Sequence, residues 1–195
     1  MELDQVTPPA VEPLTLAETK LHLRVEFIKD DGLINGLIAA ARQGFEGETG
    51  RQLITSTYTG FLDRFPRHSL ERIHIAQPPL VSVTSVKYLD SSGVQQTWSN
   101  TLYTVKAFSG PKAVRGVLFP NFDQTYPITR SIPNAVEILF VAGYGVAAAV
   151  PNDIKQSLLA VIGTLYENRE TVVVGAGVSR VPGLDFEPWK DMDFG

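Results

Sequence analysis

Apolar positions in this chain recur first at helical spacing, then at every second residue, then at helical spacing again. In PLTLAETKLHLRV, Thr15 is followed three residues later by Glu18, a capping box in which each side chain can satisfy a backbone N–H left free at a helix start. The pattern predicts a helix over 15–24. Asp30 and Asp31 then open DDGLINGLIAAARQGFEGETGRQL, with Leu33, Ile34, Leu37, Ile38, Ala41 and Phe45 at helical spacing. A longer amphipathic helix over 31–50 follows from it.

From LITSTYTGFLDRF onward the period falls to two, the composition turns to Thr, Val, Tyr and Ile, and Pro and Gly clusters cut the chain into short runs. Strands are expected within 80–90, VQQTW, 102–108, 116–119 and 135–143, with Gly93 turning a hairpin between the first two. GPKAVRG and NFDQTYPITRSIPN read as loops. Beyond residue 150 the helical stripe returns as Ile154, Leu158, Val161, Ile162 and Leu165, behind the start signals Pro151, Asn152 and Asp153. This predicts a third helix over 152–169. The expected fold class is α+β: a small bundle of about three main helices, an inserted antiparallel β block over about 53–143, and an extended C-terminal tail. Residues 1–14 are expected as an N-terminal arm, 15–170 as one domain and 171–195 as the tail.

At 195 residues, 44% of them hydrophobic and 19% charged, the chain has the composition of a folding domain. No apolar run approaches the roughly 20 residues that span a bilayer, and MELDQVTPPAVEPL puts acids and prolines where a signal peptide is basic and then apolar. A soluble protein not exported by that route is expected. The absence of cysteine excludes disulfides, thiolate nucleophiles and Cys-ligated zinc. A net charge of −4 argues against affinity for the outside of nucleic acid, and does not exclude a wall that DNA slides past.

Candidate chemistry is sparse. His22, His68 and His74 share no metal-ligating spacing and read as surface or structural residues. VVVGAGVSR has Gly175 and Gly177, but Arg180 stands at the third glycine position and Pro182 where a helix should begin, so no helix N-terminus is offered to a phosphate. The acid pairs Asp30/Asp31, Asp185/Glu187 and Asp191/Asp193 suit helix starts and solvated ends better than catalysis. Tyr58, Tyr88, Trp98 and Tyr103 could form a sugar platform, yet aromatics in strands more often pack across the sheet. TLYENRE closes the third helix, where Tyr166, Glu167, Arg169 and Glu170 are either a wet helix end or the polar rim of a contact. The tail contributes Phe186 and Trp189 as candidate apolar anchors that order on a partner.

Taken in order, PLTLAETKLHLRV, LINGLIAAARQGFEGETGRQLI, PPLVSVTSVKYLD, and VAGYG followed by VPNDIKQSLLAVIGTLYENRE resemble the head-tail connector, or head-completion adaptor, proteins of long-tailed bacteriophages and related gene transfer particles. The resemblance covers about residues 13–171. It implies a structural protein with no reaction and no cofactor or metal, located in the virion neck and, during assembly, in the host cytoplasm. It further implies a homo-oligomeric ring, usually of twelve copies, beneath the portal protein. Such a ring extends the channel through which DNA passes without sequence-specific binding, and docks the next neck, stopper or tail protein. No membrane partner is implied. On this reading Tyr166, Glu167, Arg169 and Glu170 fall at a ring or portal interface, and the tail reaches the portal. The alternatives are a neck-associated hydrolase using His68 or His74, and a ligand-binding module on the β block.

Overall fold

A computed structural model describes residues 1–167 and Lys190. In chain order the elements are β1 (Glu2–Thr7), α1 (Leu16–Leu23), α2 (Asp31–Thr49), β2 (Ser56–Leu62), β3 (Ile73–Ile75), β4 (Leu80–Leu89), β5 (Gln95–Trp98), β6 (Tyr103–Lys106), β7 (Gly116–Pro120), β8 (Val136–Ala142), a 3₁₀ turn (Ala147–Ala149) and α3 (Asn152–Glu167). They divide into two units. Met1–Pro9 with Thr55–Tyr144 form a β unit, and Ala10–Ile54 with the described residues from Gly145 onward form a helical unit. The fold is α+β, three helices and antiparallel sheets, as the change of period predicts. The expected end of the third helix at 168 and 169, and the tail, lie outside the described residues.

In the helical unit the capping box forms as its spacing requires. Thr15 Oγ1 accepts from Glu18 N–H at 3.1 Å, and Glu18 Oε2 accepts from Thr15 N–H at 2.8 Å. Those hydrogen bonds hold the Glu18 carboxyl below the usual carboxylate range. Arg24 in the left-handed conformation ends α1, and Gly50, also left-handed, ends α2 by donating its N–H to Glu46 O at 3.0 Å. α2 buries Ile34, Ile38, Ala41 and Phe45, and α3 buries Ile154, Leu158, Val161 and Ile162, the stripes that helical periodicity marks. Each large aliphatic or aromatic side chain so buried contributes roughly 1.5–3 kcal/mol.

Two arginines, Arg42 and Arg51, are buried in this unit. Arg42 is buried; its Nε and Nη2 reach the two Glu12 carboxylate oxygens at 2.7 and 3.3 Å, and its Nη1 reaches Glu46 Oε2 at 2.6 Å. The second Glu46 oxygen accepts from Gln52 Nε2 at 2.8 Å and from Leu53 N–H at 3.0 Å. Burial pushes the Glu46 carboxyl up against the pull of Leu53 N–H and Arg42. The guanidinium therefore satisfies carboxylates from two places in the sequence at once, and removing it would strand a buried acid.

The β unit holds two antiparallel sheets. One runs β1-β2-β8-β4-β5 and the other β3-β7-β6. Strand β8 is central to the larger sheet, with Val136, Ile138, Phe140 and Ala142 facing the core in strict alternation. The hairpin predicted at Gly93 is present: Gly93 has φ of +83°, its N–H bonds Asp90 O at 2.8 Å, and the Asp90 carboxylate accepts from Ser92 and Val94 N–H. Two strands carry no prediction from the sequence. Residues 2–7, inside the expected arm, pair with β2 as an edge strand, and the three-residue β3 pairs with β7. At Gly60 in β2 a Cβ would stand 2.6 Å from Met1 Sδ, so a side chain there would have to displace the flexible Met1 side chain.

Between the sheets lies an aromatic cluster. Phe65 approaches Trp98, Tyr126 and Tyr88 with ring centroids at 5.3, 5.5 and 5.7 Å, and Trp98 meets Tyr103 at 4.8 Å. Tyr126 donates its hydroxyl to Glu71 O at 2.7 Å, and burial, with the Glu71 charge second, pushes its pKa up to about 12. The folded chain thus keeps this proton between about pH 10 and 12, where the unfolded chain releases it, so the stability it contributes is intact below pH 10 and lost as the pH rises toward 12. Tyr126→Phe is expected to cost about 1 kcal/mol at neutral pH and to flatten the fall in stability above pH 10. Urea unfolding at pH 8 and above pH 10 reads both; an unchanged alkaline slope would refute the assignment.

Candidate interface site

The helical unit has a corner where α1 ends, α2 begins and α3 finishes. Arg24 turns the chain out of α1, Val25 N–H bonds back to Lys20 O at 3.0 Å, and residues 26–30 lead into α2. Lys20 Nζ donates to Phe27 O at 2.9 Å and pairs with Asp31 Oδ1 at 2.6 Å, which pins the link to both helices. Tyr166, in the last turn of α3, donates its hydroxyl to Asp30 Oδ2 at 2.5 Å, a charge-assisted bond across 136 residues of sequence.

This arrangement changes the role of the two acids at the start of α2. Capping logic assigns them to free backbone N–H groups, yet Asp30 makes no side-chain cap bond. Both carboxylates serve tertiary contacts instead, one to α3 and one to α1. The bracing leaves large apolar side chains outside, interspersed with the exposed Arg24, Glu26 and Lys29. Leu21 is 82% exposed, Ile28 80% and Phe27 55%, with Leu33 of α2 also exposed. Large apolar side chains held outward by polar bonds beneath them form the kind of patch that marks a protein contact. Leu33, part of the predicted apolar stripe, belongs to this surface and not to the core.

Of the residues singled out in TLYENRE, Tyr166 is half-buried against Asp30 and Glu167 is exposed, while Arg169 and Glu170 lie outside the described residues. Phe186 and Trp189 lie outside them as well. Tyr166 is the residue that connects the predicted rim to the corner; Leu21, Phe27 and Ile28 are the part that periodicity does not announce. A signal was present: apolar residues off the helical stripe, Leu21 near the end of α1 and Phe27 and Ile28 in the link to α2. Of the run Ala39 to Ala41, Ala41 is buried within the unit and Ala40 faces outward.

The remaining candidates separate from this site. His22, His68 and His74 are all exposed, and among the described residues no three His, Asp or Glu side chains group as a metal site. An open depression on the β unit is lined by Asp63, Arg64, Thr129, Ser131, Ile132 and Pro133, where Asp63 is engaged by Asn134 N–H at 3.0 Å. It contains no histidine to activate Ser131. Tyr58, Trp98 and Tyr103 are buried and Tyr88 packs against them, so these aromatics form core and offer no sugar platform.

Residues 13–78, a third of the chain, match the family model described as Phage gp6-like head-tail connector protein. The match begins at the α1 capping box and spans the exposed corner and α2. No curated protein matches significantly. Among solved structures, the fold is similar to chains in the neck of an empty GTA particle computed with C6 symmetry, in the virion of a native gene transfer agent (GTA) particle, and in the neck of a native GTA particle computed with C12 symmetry. Their TM-scores are 0.77, 0.76 and 0.72; each is 24% identical, with 98% of this chain and 96% of the other covered. At that identity the likeness is one of fold.

Replacing Tyr166 by Phe should lower the thermal stability of the helical unit by about 1 kcal/mol, since a charge-assisted bond is lost at a half-buried position. Asp30→Asn with Tyr166 retained should keep most of that stability, because an amide oxygen still accepts, and Asp30→Ala should lose it. Thermal unfolding of Tyr166→Phe, Asp30→Asn and Asp30→Ala compares them; equal stability of all three would refute the bracing role.

Proposed function

We propose that this protein is a structural head-tail connector subunit, located in the neck of a phage or gene transfer particle and acting by assembly and not by catalysis. The observation that carries the reading is the match of residues 13–78 to the connector family model, because those residues build the one corner where bracing bonds hold large apolar groups outward. The fold likeness to neck chains over nearly the whole length supports it. On this reading the chain forms a closed ring, and the C12 symmetry of one similar neck favours twelve copies. Ring closure by rotation needs two different faces on each subunit. The corner of Leu21, Phe27 and Ile28, with Tyr166 and Glu167 beside it, supplies one of them. The ring sits under the portal protein, extends the DNA channel and receives the next neck or tail protein.

Ile28→Asp with Leu21→Asp should abolish ring formation while leaving the monomer folded, since both side chains are solvent-exposed in the subunit. Native mass measurement with and without portal rings reads this; rings formed equally well by the variant would refute the corner as a ring face. For the tail, with Phe186 and Trp189 as its proposed anchors, truncation after Thr171 should weaken portal binding at least tenfold and leave unfolding unchanged. Equal portal binding by the truncated chain would remove the tail from the contact.

A further inference from the structure

The acidity of the chain is unevenly placed. Residues 1–9 and 55–144 carry eight Lys and Arg against seven Asp and Glu, which leaves nine against fourteen of the totals of 17 and 21 for the rest. Within the β unit the division continues. Of the seven acids, Glu2, Asp4, Asp63, Asp90 and Glu137 fall on the strands and turns of the five-stranded sheet, where Glu137 stands directly opposite Lys87, and Glu71 and Asp123 flank β3 and β7 in sequence. Asp90 is engaged by its own turn and by Gln96.

The three-stranded sheet is different. His74 and Lys106 both pair with Val117, so the three residues share one face, opposite to the face on which Ile73, Ile75 and Leu118 enter the core. Two residues along, the Arg72 guanidinium lies over the Phe119 ring at 5.6 Å, and Thr104 pairs with Phe119. Lys106 Nζ lies over the Phe108 ring at 5.3 Å. In and beside the strands this face carries two cations and an exposed imidazole around the buried Val117, and the exposed Glu71, next to Arg72, falls at the alternate position.

Among the described residues neither Arg72 nor Lys106 makes an ion pair, whereas Lys20 and Arg42 of the helical unit each do. Both are steadied only by an aromatic face, which orders the side chain without neutralising it. The two positions are separated by two strand spacings and one two-residue step, about 12 Å at the backbone, far enough apart for each to take a separate phosphate.

We propose that this face is a sequence-independent contact for the phosphate backbone of double-stranded DNA, made by Arg72 and Lys106 with His74 between them. A protein partner fits it less well. Protein contacts centre on exposed apolar anchors and are poor in lysine, and the exposed large apolar residues of this unit, such as Leu70, Phe122 and Ile128, lie in loops off the face. The overall charge of −4 conceals the feature, because the excess of acid falls in residues 10–54 and 145–195 of the sequence. Use of the contact on passing DNA rests on the connector reading; the contact itself does not.

The test uses the full chain and a short random-sequence fluorescent duplex, with anisotropy measured over a salt series. Wild type should bind at low salt with a slope of log K against log salt of about −2, from two phosphates neutralised. Arg72→Ala and Lys106→Ala should each reduce the slope by about 1 and weaken binding for every sequence alike. Lys87→Ala, on the other sheet, should change nothing. No binding at low salt, or equal binding by the Arg72→Ala/Lys106→Ala double variant, overturns the proposal. So does a double variant that loses self-association and keeps DNA binding, which would make the face a contact between copies. Since ring assembly on portal is read separately by mass, intact assembly without DNA binding sinks this inference alone. DNA binding without assembly sinks the connector reading alone.

Discussion

The pairing of β2 with β8 is the constraint on which the architecture depends. Ser56 stands opposite Ala142, so a block of almost ninety residues leaves and returns to the same place. Closing a loop of that length costs entropy that grows only slowly with its size, and a seven-position antiparallel ladder with an alternating apolar face offsets it. The consequence is that residues far apart in sequence can belong to one small helical unit. Tyr166 meets Asp30 across that interval.

The polar bonds of the helical unit do more than satisfy buried groups. Arg42 works in the interior, where the partner carboxylates offset its desolvation and leaving it out would strand Glu46. Lys20, Asp30, Asp31 and Tyr166 work at the rim, where single ion pairs contribute little to stability. Their contribution is positional. They fix the link between α1 and α2 so that Leu21, Phe27 and Ile28 stay outward when collapse onto the nearby core would bury them.

The parts of this fold that are legible in the sequence are those with one wet and one buried face. The stripes of α2 and α3, the capping box at Thr15 and the alternation of β8 all follow from periodicity, because burial on one side imposes it. β1 was silent for the opposite reason: all six of its residues are exposed, so no period is written into it, and its pairing depends on an edge presented by β2. β3 is too short to show a period. At the site, capping rules place Asp30 and Asp31 correctly and give them the wrong partners, since a local rule has no access to a tyrosine more than a hundred residues away. The rim at Tyr166 was visible as charge; the apolar corner beside it was hidden in a link with no periodicity of its own.

Net charge proves the least informative of the sequence quantities. A value of −4 suggests a wall indifferent to DNA, yet it averages a helical unit rich in acid with a β unit whose two signs nearly balance. What a polyanion meets is the local field within about a Debye length, roughly 8–10 Å at ordinary salt, and there the outer face of β3, β7 and β6 presents Arg72 and Lys106, with Glu71 the acid next to Arg72 in sequence. Two cations per subunit bind weakly, and a weak contact suits DNA that has to move. On the connector reading proposed above, such contacts repeated around a ring would centre the duplex without holding it, because each can break while its neighbours remain. The same arithmetic constrains the helical unit: its acid excess would oppose DNA wherever it faced the channel, so it is better suited to contacts with protein.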